Sequence, residues 1–259
     1  MNIVLLGTGR MGSWLAHVLA GDHRVTVCDV RRRKAEAIAG VQVADSAEAA
    51  CTPPPDLLIN AVGLRDTLTV YRSVLPHLAP STMLCDLASV KTDLPEFYRS
   101  AGHRFVSVHP MFGPTFADLT DLRNENAVII ADSDDEGKDF FSLLFRRLGA
   151  HIFHYSFEEH DRMMAYSLTL PFVSSLVFLS CVNARTVPGT TFRRHLEVAR
   201  GLLSEDEFLL SEILFNPHSL AQIERINNKL NFLWHIVRNR DSEEARSFIN
   251  DLRKRLEPE

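Results

Sequence analysis

The chain has 259 residues, 46% of them hydrophobic and 24% charged, proportions of a folded globular protein that leave little room for extended disorder. Lys and Arg total 28 against 33 Asp and Glu. The resulting net charge of −5 gives no bulk electrostatic reason to bind nucleic acid or an anionic membrane.

In the first 155 residues, strand-length apolar or β-branched runs occur at Ile3–Leu6, Val25–Cys28, Leu57–Ala61, Met83–Leu87, Phe105–Val108, Ala127–Ala131 and His151–His154. Helix-like stretches lie between several of them, at Met11–Leu19, Arg32–Ala39, Asp66–Leu78 and Glu136–Leu148. Strand and helix in alternation predict βαβ units and a mostly parallel sheet. The Thr52–Pro55 run reads as a loop, because Pro stiffens the chain and lacks a ladder donor.

After Ser156 the strand signal stops. Phe157–Asn183, Phe192–Leu202, Glu205–Phe215, Ser219–Asn239 and Ser242–Leu256 carry helical periodicity. In the fourth of these, Leu220, Ile223, Ile226, Leu230, Leu233 and Val237 form an apolar stripe along one face. The expected organisation is an α/β domain over residues 1–155 followed by an all-α domain over 156–259. The long apolar helix faces predict burial in a second copy, a homodimer through the helical domain.

The stretch Leu168–Val182 contains Thr, Pro and three Ser, and reads as too short and too polar to span a bilayer. Asn2–Leu6 does not resemble a signal sequence, so a cytoplasmic location with no membrane partner is expected. Cys28, Cys51, Cys85 and Cys181 form no CxxC pair, so neither a disulfide framework nor a metal centre is expected, and Cys28 and Cys85 read as core residues.

Gly7-Thr8-Gly9-Arg10-Met11-Gly12 matches G-x-G-x-x-G. It follows the first strand and opens a helix, the context that makes the pattern specific for a dinucleotide. The first glycine permits the tight turn, the second lets a pyrophosphate approach, and the third lets helix and strand pack closely. The anion then meets the N–H groups and positive end of the helix. Asp29, 22 positions after Gly7, ends the next strand and suits the ribose hydroxyls, favouring NAD over NADP. Arg31, with Arg32 and Arg33, complicates this, since an arginine there suits a 2′-phosphate. Val62, past the third strand, joins the expected cofactor contacts.

Two runs leave strands toward the expected cofactor position, Asp86–Thr92 and Ser107–Pro114. His109, at a strand end and fixed by Pro110, is placed as an acid/base group. An imidazole with an ordinary pKa near 6.5 suits removal of a hydroxyl proton while hydride leaves the same carbon. Ser89 is placed to orient that imidazole or the nicotinamide.

Together Gly7–Gly12, Asp86–Lys91 and His109–Pro114 resemble the prephenate dehydrogenase family, including the dehydrogenase part of bifunctional chorismate mutase–prephenate dehydrogenases. The likeness continues into Glu159–Ala165 and covers nearly the whole chain, with no further mutase or regulatory segment expected. It implies a Rossmann domain followed by an all-α dimerisation domain. It also implies oxidation of the C4 hydroxyl of prephenate with NAD and loss of the ring carboxylate as CO₂, giving 4-hydroxyphenylpyruvate.

By the same resemblance, His109 accepts from or acts as base toward the C4 hydroxyl, and Ser89 holds His109 and the nicotinamide in register. His160 with Asp161 organises the domain interface. Prephenate is a dicarboxylate that needs guanidinium partners. The resemblance points to Arg200 first, displaced by one residue from the family order, and to Arg193 second. Phe172 stands where the family carries a histidine beside the substrate side chain. That departure leaves arogenate and 4-amino-4-deoxyprephenate open as alternative substrates. A catalytically silent NAD-sensing dimer is the remaining alternative.

Overall fold

The computed structural model describes residues 1–113, 121–183 and 187–257. Pro114, the last residue of the His109–Pro114 run, lies outside these. From the N-terminus the chain runs β1 (Asn2–Leu6), α1 (Arg10–Ala20), β2 (Arg24–Cys28), α2 (Arg32–Glu36), β3 (Gln42–Val43), α3 (Ala47–Ala50) and β4 (Leu57–Asn60). It continues with α4 (Thr67–Val74), β5 (Met83–Asp86), α5 (Leu94–Ala101), β6 (Phe105–Pro110), β7 (Asn126–Ile130), α6 (Asp135–Arg147) and β8 (His151–Tyr155).

These strands form one eight-stranded sheet in the order β3-β2-β1-β4-β5-β6-β7-β8. Neighbours are parallel except β6 and β7, where His109 pairs with Val128 in an antiparallel ladder. A strand covered on both faces must be apolar on both, which explains the unbroken runs. Residues Ile3–Leu6 of β1 and all of β4 are buried. One face packs on α1 and α6 through Leu15, Leu19, Phe141 and Phe145, and the other on α4 and α5 through Tyr71, Val74, Phe97 and Tyr98.

Two expectations change here. β6 runs on through Pro110, so His109 is a residue of the strand rather than of the loop beyond it. Cys28 is only partly buried and lines a surface groove, unlike the fully buried Cys85.

The remaining chain is helical: α7 (Phe157–Met164), a π-helical turn (Ala165–Thr169), α8 (Leu170–Ser180), α9 (Thr190–Leu202), α10 (Glu207–Leu214), α11 (Ser219–Asn239) and α12 (Ser242–Lys254). α7, the π turn and α8 form a continuous 24-residue run, Phe157–Ser180, long and apolar enough by length and composition to cross a membrane. The shorter segment expected from the sequence was therefore underestimated. The run opens with Glu158, Glu159, Asp161 and Arg162 in its first turns, and α7, with His160 and Met164 buried, contacts β7 and β8.

Candidate active site

The glycine loop joins β1 to α1. Gly7 has φ +91° and its N–H donates to the Cys28 carbonyl at 2.8 Å, tying the turn to β2. A Cβ on Gly7 would lie 2.7 Å from the Val62 nitrogen, and one on Gly12 would lie 2.0 Å from the Gly7 carbonyl oxygen. Both positions exclude a side chain because strand, turn and helix pack too closely. Gly9 differs: a Cβ there meets nothing within 4 Å, so its backbone faces open space at the start of α1. That is the cradle a pyrophosphate needs.

Two clefts meet over this loop. One, of about 480 Å³, is lined by Gly7, Gly9, Asp29, Arg31 and Val62. The other, of about 510 Å³, runs from Gly9, Arg10 and Met11 past Val62 to Ser89, and is walled on its far side by Ser204, Asp206 and Leu209 of the helical domain. The predicted cofactor residues thus come together around one continuous opening, with Thr8 buried beneath it.

Asp29 does structural work in this opening. Its Oδ2 accepts from the Thr8 N–H at 2.7 Å and the Thr8 hydroxyl at 3.1 Å, and its Oδ1 accepts from the Arg31 N–H at 2.7 Å. Burial pushes its pKa up, but these donors outweigh burial and hold it below the usual carboxylate value. The charge is therefore fixed at the mouth of the glycine loop.

At the ends of β5 and β6 lies the second half of the site. His109 is nearly buried, and its Nδ1 is 3.1 Å from Nε2 of His160. His160 sits in the first turn of α7. A capping box fixes that turn: the Glu159 N–H donates to Ser156 Oγ at 3.2 Å, and Glu159 Oε2 accepts from the Ser156 N–H at 2.8 Å. His160 Nδ1 is in turn 3.1 Å from Asp161 Oδ1.

The direction of this chain follows from what each atom can do. A carboxylate only accepts, so His160 Nδ1 carries the hydrogen. In a neutral His160, Nε2 is then the acceptor, and His109 Nδ1 must donate to it. His109 Nε2 is left with a lone pair that meets no donor among the described residues. Burial, then His160 and Lys91, hold the His109 pKa well below 6.5. Burial likewise lowers that of His160, against the opposing pull of Asp161. Both shifts favour the neutral rings, so the pair is set up to accept a proton.

Behind it, Asp86 at the end of β5 and Lys91 are both fully buried, with Lys91 Nζ donating to Asp86 Oδ1 at 2.7 Å and to the Val108 carbonyl at 3.1 Å. The Tyr98 hydroxyl donates to Asp86 Oδ2 at 2.7 Å, and the Ala88 N–H donates to Oδ1 at 3.0 Å. Breaking such a pair by removing one partner costs about 3–5 kcal/mol.

The description "Prephenate dehydrogenase, nucleotide-binding domain" belongs to the family model that matches residues 17–153, just over half of the chain. The chain belongs to the prephenate dehydrogenase family. It is 27% identical, over 93% of its length, to a probable arogenate/prephenate dehydrogenase of Methanocaldococcus jannaschii. The alignment spans 57% of that relative, so the chain covers little more than half of it. It is 22% identical to the T-protein of Haemophilus influenzae, over 98% of this chain and 71% of the T-protein. In fold it matches Aquifex aeolicus prephenate dehydrogenase, crystallised with hydroxyphenyl propionate and NAD⁺. The TM-score is 0.83 at 17% identity, covering 99% of this chain and 97% of the other.

Within this family member, the remaining predicted residues fall in different places. Ser89 lines the larger cleft but makes no hydrogen bond to His109 among the described residues, where His109 Nδ1 instead meets His160 Nε2. Arg200 is exposed on α9, one turn before the Ser204–Asp206 wall, and forms no ion pair among the described residues. Arg193, two turns earlier, donates to the Pro188 carbonyl at 3.3 Å and to Thr190 Oγ1 at 3.4 Å, at the start of its own helix. Phe172 is buried in α8 and is not among the residues lining either cleft. Reasoning from the sequence singled out the Asp86–Thr92 run but gave Asp86 and Lys91 no role of their own.

Proposed function

We propose that the chain catalyses the NAD-dependent oxidative decarboxylation of prephenate to 4-hydroxyphenylpyruvate. The observation that carries this reading is the directed chain Asp161–His160–His109, which leaves one imidazole nitrogen free as an acceptor. When bound, the nicotinamide supplies a hydride acceptor. His109 Nε2 takes the C4 hydroxyl proton as that carbon is oxidised. The bond from C1 to the ring carboxylate then breaks, CO₂ leaves, and its electron pair enters the ring to give the aromatic phenolate. The proton held by His109 returns to that oxygen. Arg200, a cation with no competing carboxylate among the described residues, is assigned to a substrate carboxylate.

Asp29 at the cofactor opening supports NAD over NADP by repelling a 2′-phosphate. The exposed apolar residues of α11 support a homodimer through the helical domain. Phe172, apolar and buried at the position where the resemblance expects a histidine, is the observation that favours a substituted relative as second reading.

The test is the appearance of reduced nicotinamide with prephenate, arogenate or 4-amino-4-deoxyprephenate, each with NAD and with NADP. Turnover of prephenate with NAD is expected. Turnover of only an amino-bearing relative would replace the substrate and keep the site. Silence with all three while NAD still binds would leave an NAD-sensing dimer.

A further inference from the structure

We propose that Lys91 is a positioning residue for this reaction: it grips the Val108 carbonyl beside His109 from a fully buried ion pair with Asp86, and so sets both the place and the proton-accepting state of the imidazole. The proposal rests on His109 being the proton acceptor.

Lys91 has no solvent exposure, and its ammonium has only two partners among the described residues, Asp86 Oδ1 at 2.7 Å and Val108 O at 3.1 Å. Val108 is the residue before His109, so the second bond holds the peptide that presents the imidazole. The antiparallel ladder to β7 holds the other edge of the same strand, with Val108 opposite Ile129 and His109 opposite Val128. Together these leave the His109 backbone little freedom.

Burial of a lysine is costly, and a stability role alone would be met as well by an apolar side chain. What an apolar side chain would not supply is charge. The charged and titratable groups facing the histidine pair among the described residues are Lys91 after β5, Asp86 on β5 and Asp161 on α7. Tyr98 on α5 bonds Asp86 at 2.7 Å and Tyr71 on α4 at 3.2 Å, and among the described residues neither tyrosine hydroxyl bonds a histidine. Of the two buried charges, Lys91 opposes protonation of both imidazoles, and Asp86 favours that of His160. Lys91, bonded to the carbonyl of the residue before His109, is the cation of the pair that stands beside that ring. Asp86 in turn keeps Lys91 ionised and in place.

The test uses Lys91→Met combined with Asp86→Asn, which removes both charges and leaves an amide for Tyr98 and Ala88. Should that pair not fold, Lys91→Met with Asp86→Leu gives the same comparison with an apolar replacement, a kind of exchange that folded proteins often tolerate. The readout is the titration of the His109 ring by NMR in the protein with NAD but no substrate, alongside the pH profile of kcat/KM. In the native protein His109 is expected to titrate well below 6.5. In the double variant the midpoint is expected to rise, with the acid limb of kcat/KM following it. NAD affinity is expected to stay within about twofold, because the pair does not line the cofactor clefts. An ordinary titration in the native protein, or an unmoved midpoint in the folded variant, overturns the proposal, whatever happens to thermal stability. If the native chain turns over none of the three substrates, the proposed reaction fails, while the ring titration still decides what Lys91 does to His109.

Discussion

His109 Nδ1 and His160 Nε2 approach to 3.1 Å although 51 residues separate them in the chain. One lies in β6 and the other in the first turn of α7, so the contact exists only where the sheet domain meets the helical domain. Its effect is to give two equivalent-looking ring nitrogens of His109 different jobs. One is committed to His160, and the other is free to accept. Asp161 governs that choice from two steps away.

Replacing His109 with Asn is expected to lower kcat/KM by about three orders of magnitude with NAD affinity unchanged, since a proton acceptor contributes on that scale. Asp161→Asn tests the direction of the chain. An amide can donate to His160 Nδ1, which would turn His160 Nε2 into a donor and leave His109 Nε2 protonated. The expected loss in kcat is about two to four orders of magnitude with little change in KM, as for other wrong-tautomer sites. Unchanged turnover in Asp161→Asn would show that the tautomer does not matter.

The same burial links the site to acid stability. Both histidines have pKa values below 6.5 in the folded protein, whereas in the unfolded chain they return to about 6.5. The unfolded state therefore binds more protons once the pH falls past that value. The stability they confer is fully present above about pH 7 and is lost as the pH drops toward 5. Thermal unfolding should show Tm falling across that window in the native protein, and less steeply in His160→Gln. Equal slopes would mean that other groups dominate.

The sheet was legible because buried parallel strands must be apolar on both faces, so β1, β4 and β5 announce themselves as unbroken runs. β3 has two residues, Gln42–Val43, and α3 has four, Ala47–Ala50, too short for any period to register. α5, with Leu94, Phe97, Tyr98 and Ala101 at helical spacing, spans eight residues, little more than two turns over which to show a period. The glycine loop and His109 were legible because local geometry and chemistry restrict their residue types. Lys91 was not, since a lysine is almost always exposed and only the packing of β5, β6 and α5 shows that this one is enclosed. Nor was the His109–His160 contact, which depends on how two domains dock.

Gly9 and Gly12 separate a binding role from a packing role. Gly12→Ala would place a methyl group 2.0 Å from the Gly7 carbonyl, so the loop or α1 must shift. A marked fall in Tm and loss of NAD binding are expected together. Gly9→Ala has free space and should leave Tm nearly unchanged. Calorimetric titration should nevertheless show NAD affinity reduced by about tenfold or more, because the methyl group occupies the pyrophosphate position. Undiminished affinity in Gly9→Ala would move the phosphates elsewhere.

Arg200 and Arg193 make a second pair. Arg193 is engaged at the start of its own helix, and Arg200 has no ion pair among the described residues. Arg200→Ala is expected to raise KM for the dicarboxylate by about tenfold to a hundredfold, the range of a charge-assisted contact, with KM for NAD unchanged. Arg193→Ala should change neither. The opposite pattern would exchange their roles.

The helical domain leaves Leu230, Leu233, Trp234 and Val237 exposed along one stripe of α11, with Trp234 at 53% and Val237 at 74%. Their spacing of three, one and three residues is that of a single helix face. A face of this kind in water drives association, and a lasting interface needs about 1,200–2,000 Å² of total buried surface, more than a lone helix stripe supplies. Two copies of α11 packing across a twofold axis, flanked by exposed Ile249 and Leu252 of α12, would bring the area into that range. Sedimentation of the native chain is expected to give a dimer, and Leu233→Glu with Val237→Glu a monomer. Because both side chains are exposed within one copy, the variant should keep its fold and its NAD affinity. A native monomer at micromolar concentration would remove the stripe as a self-association surface.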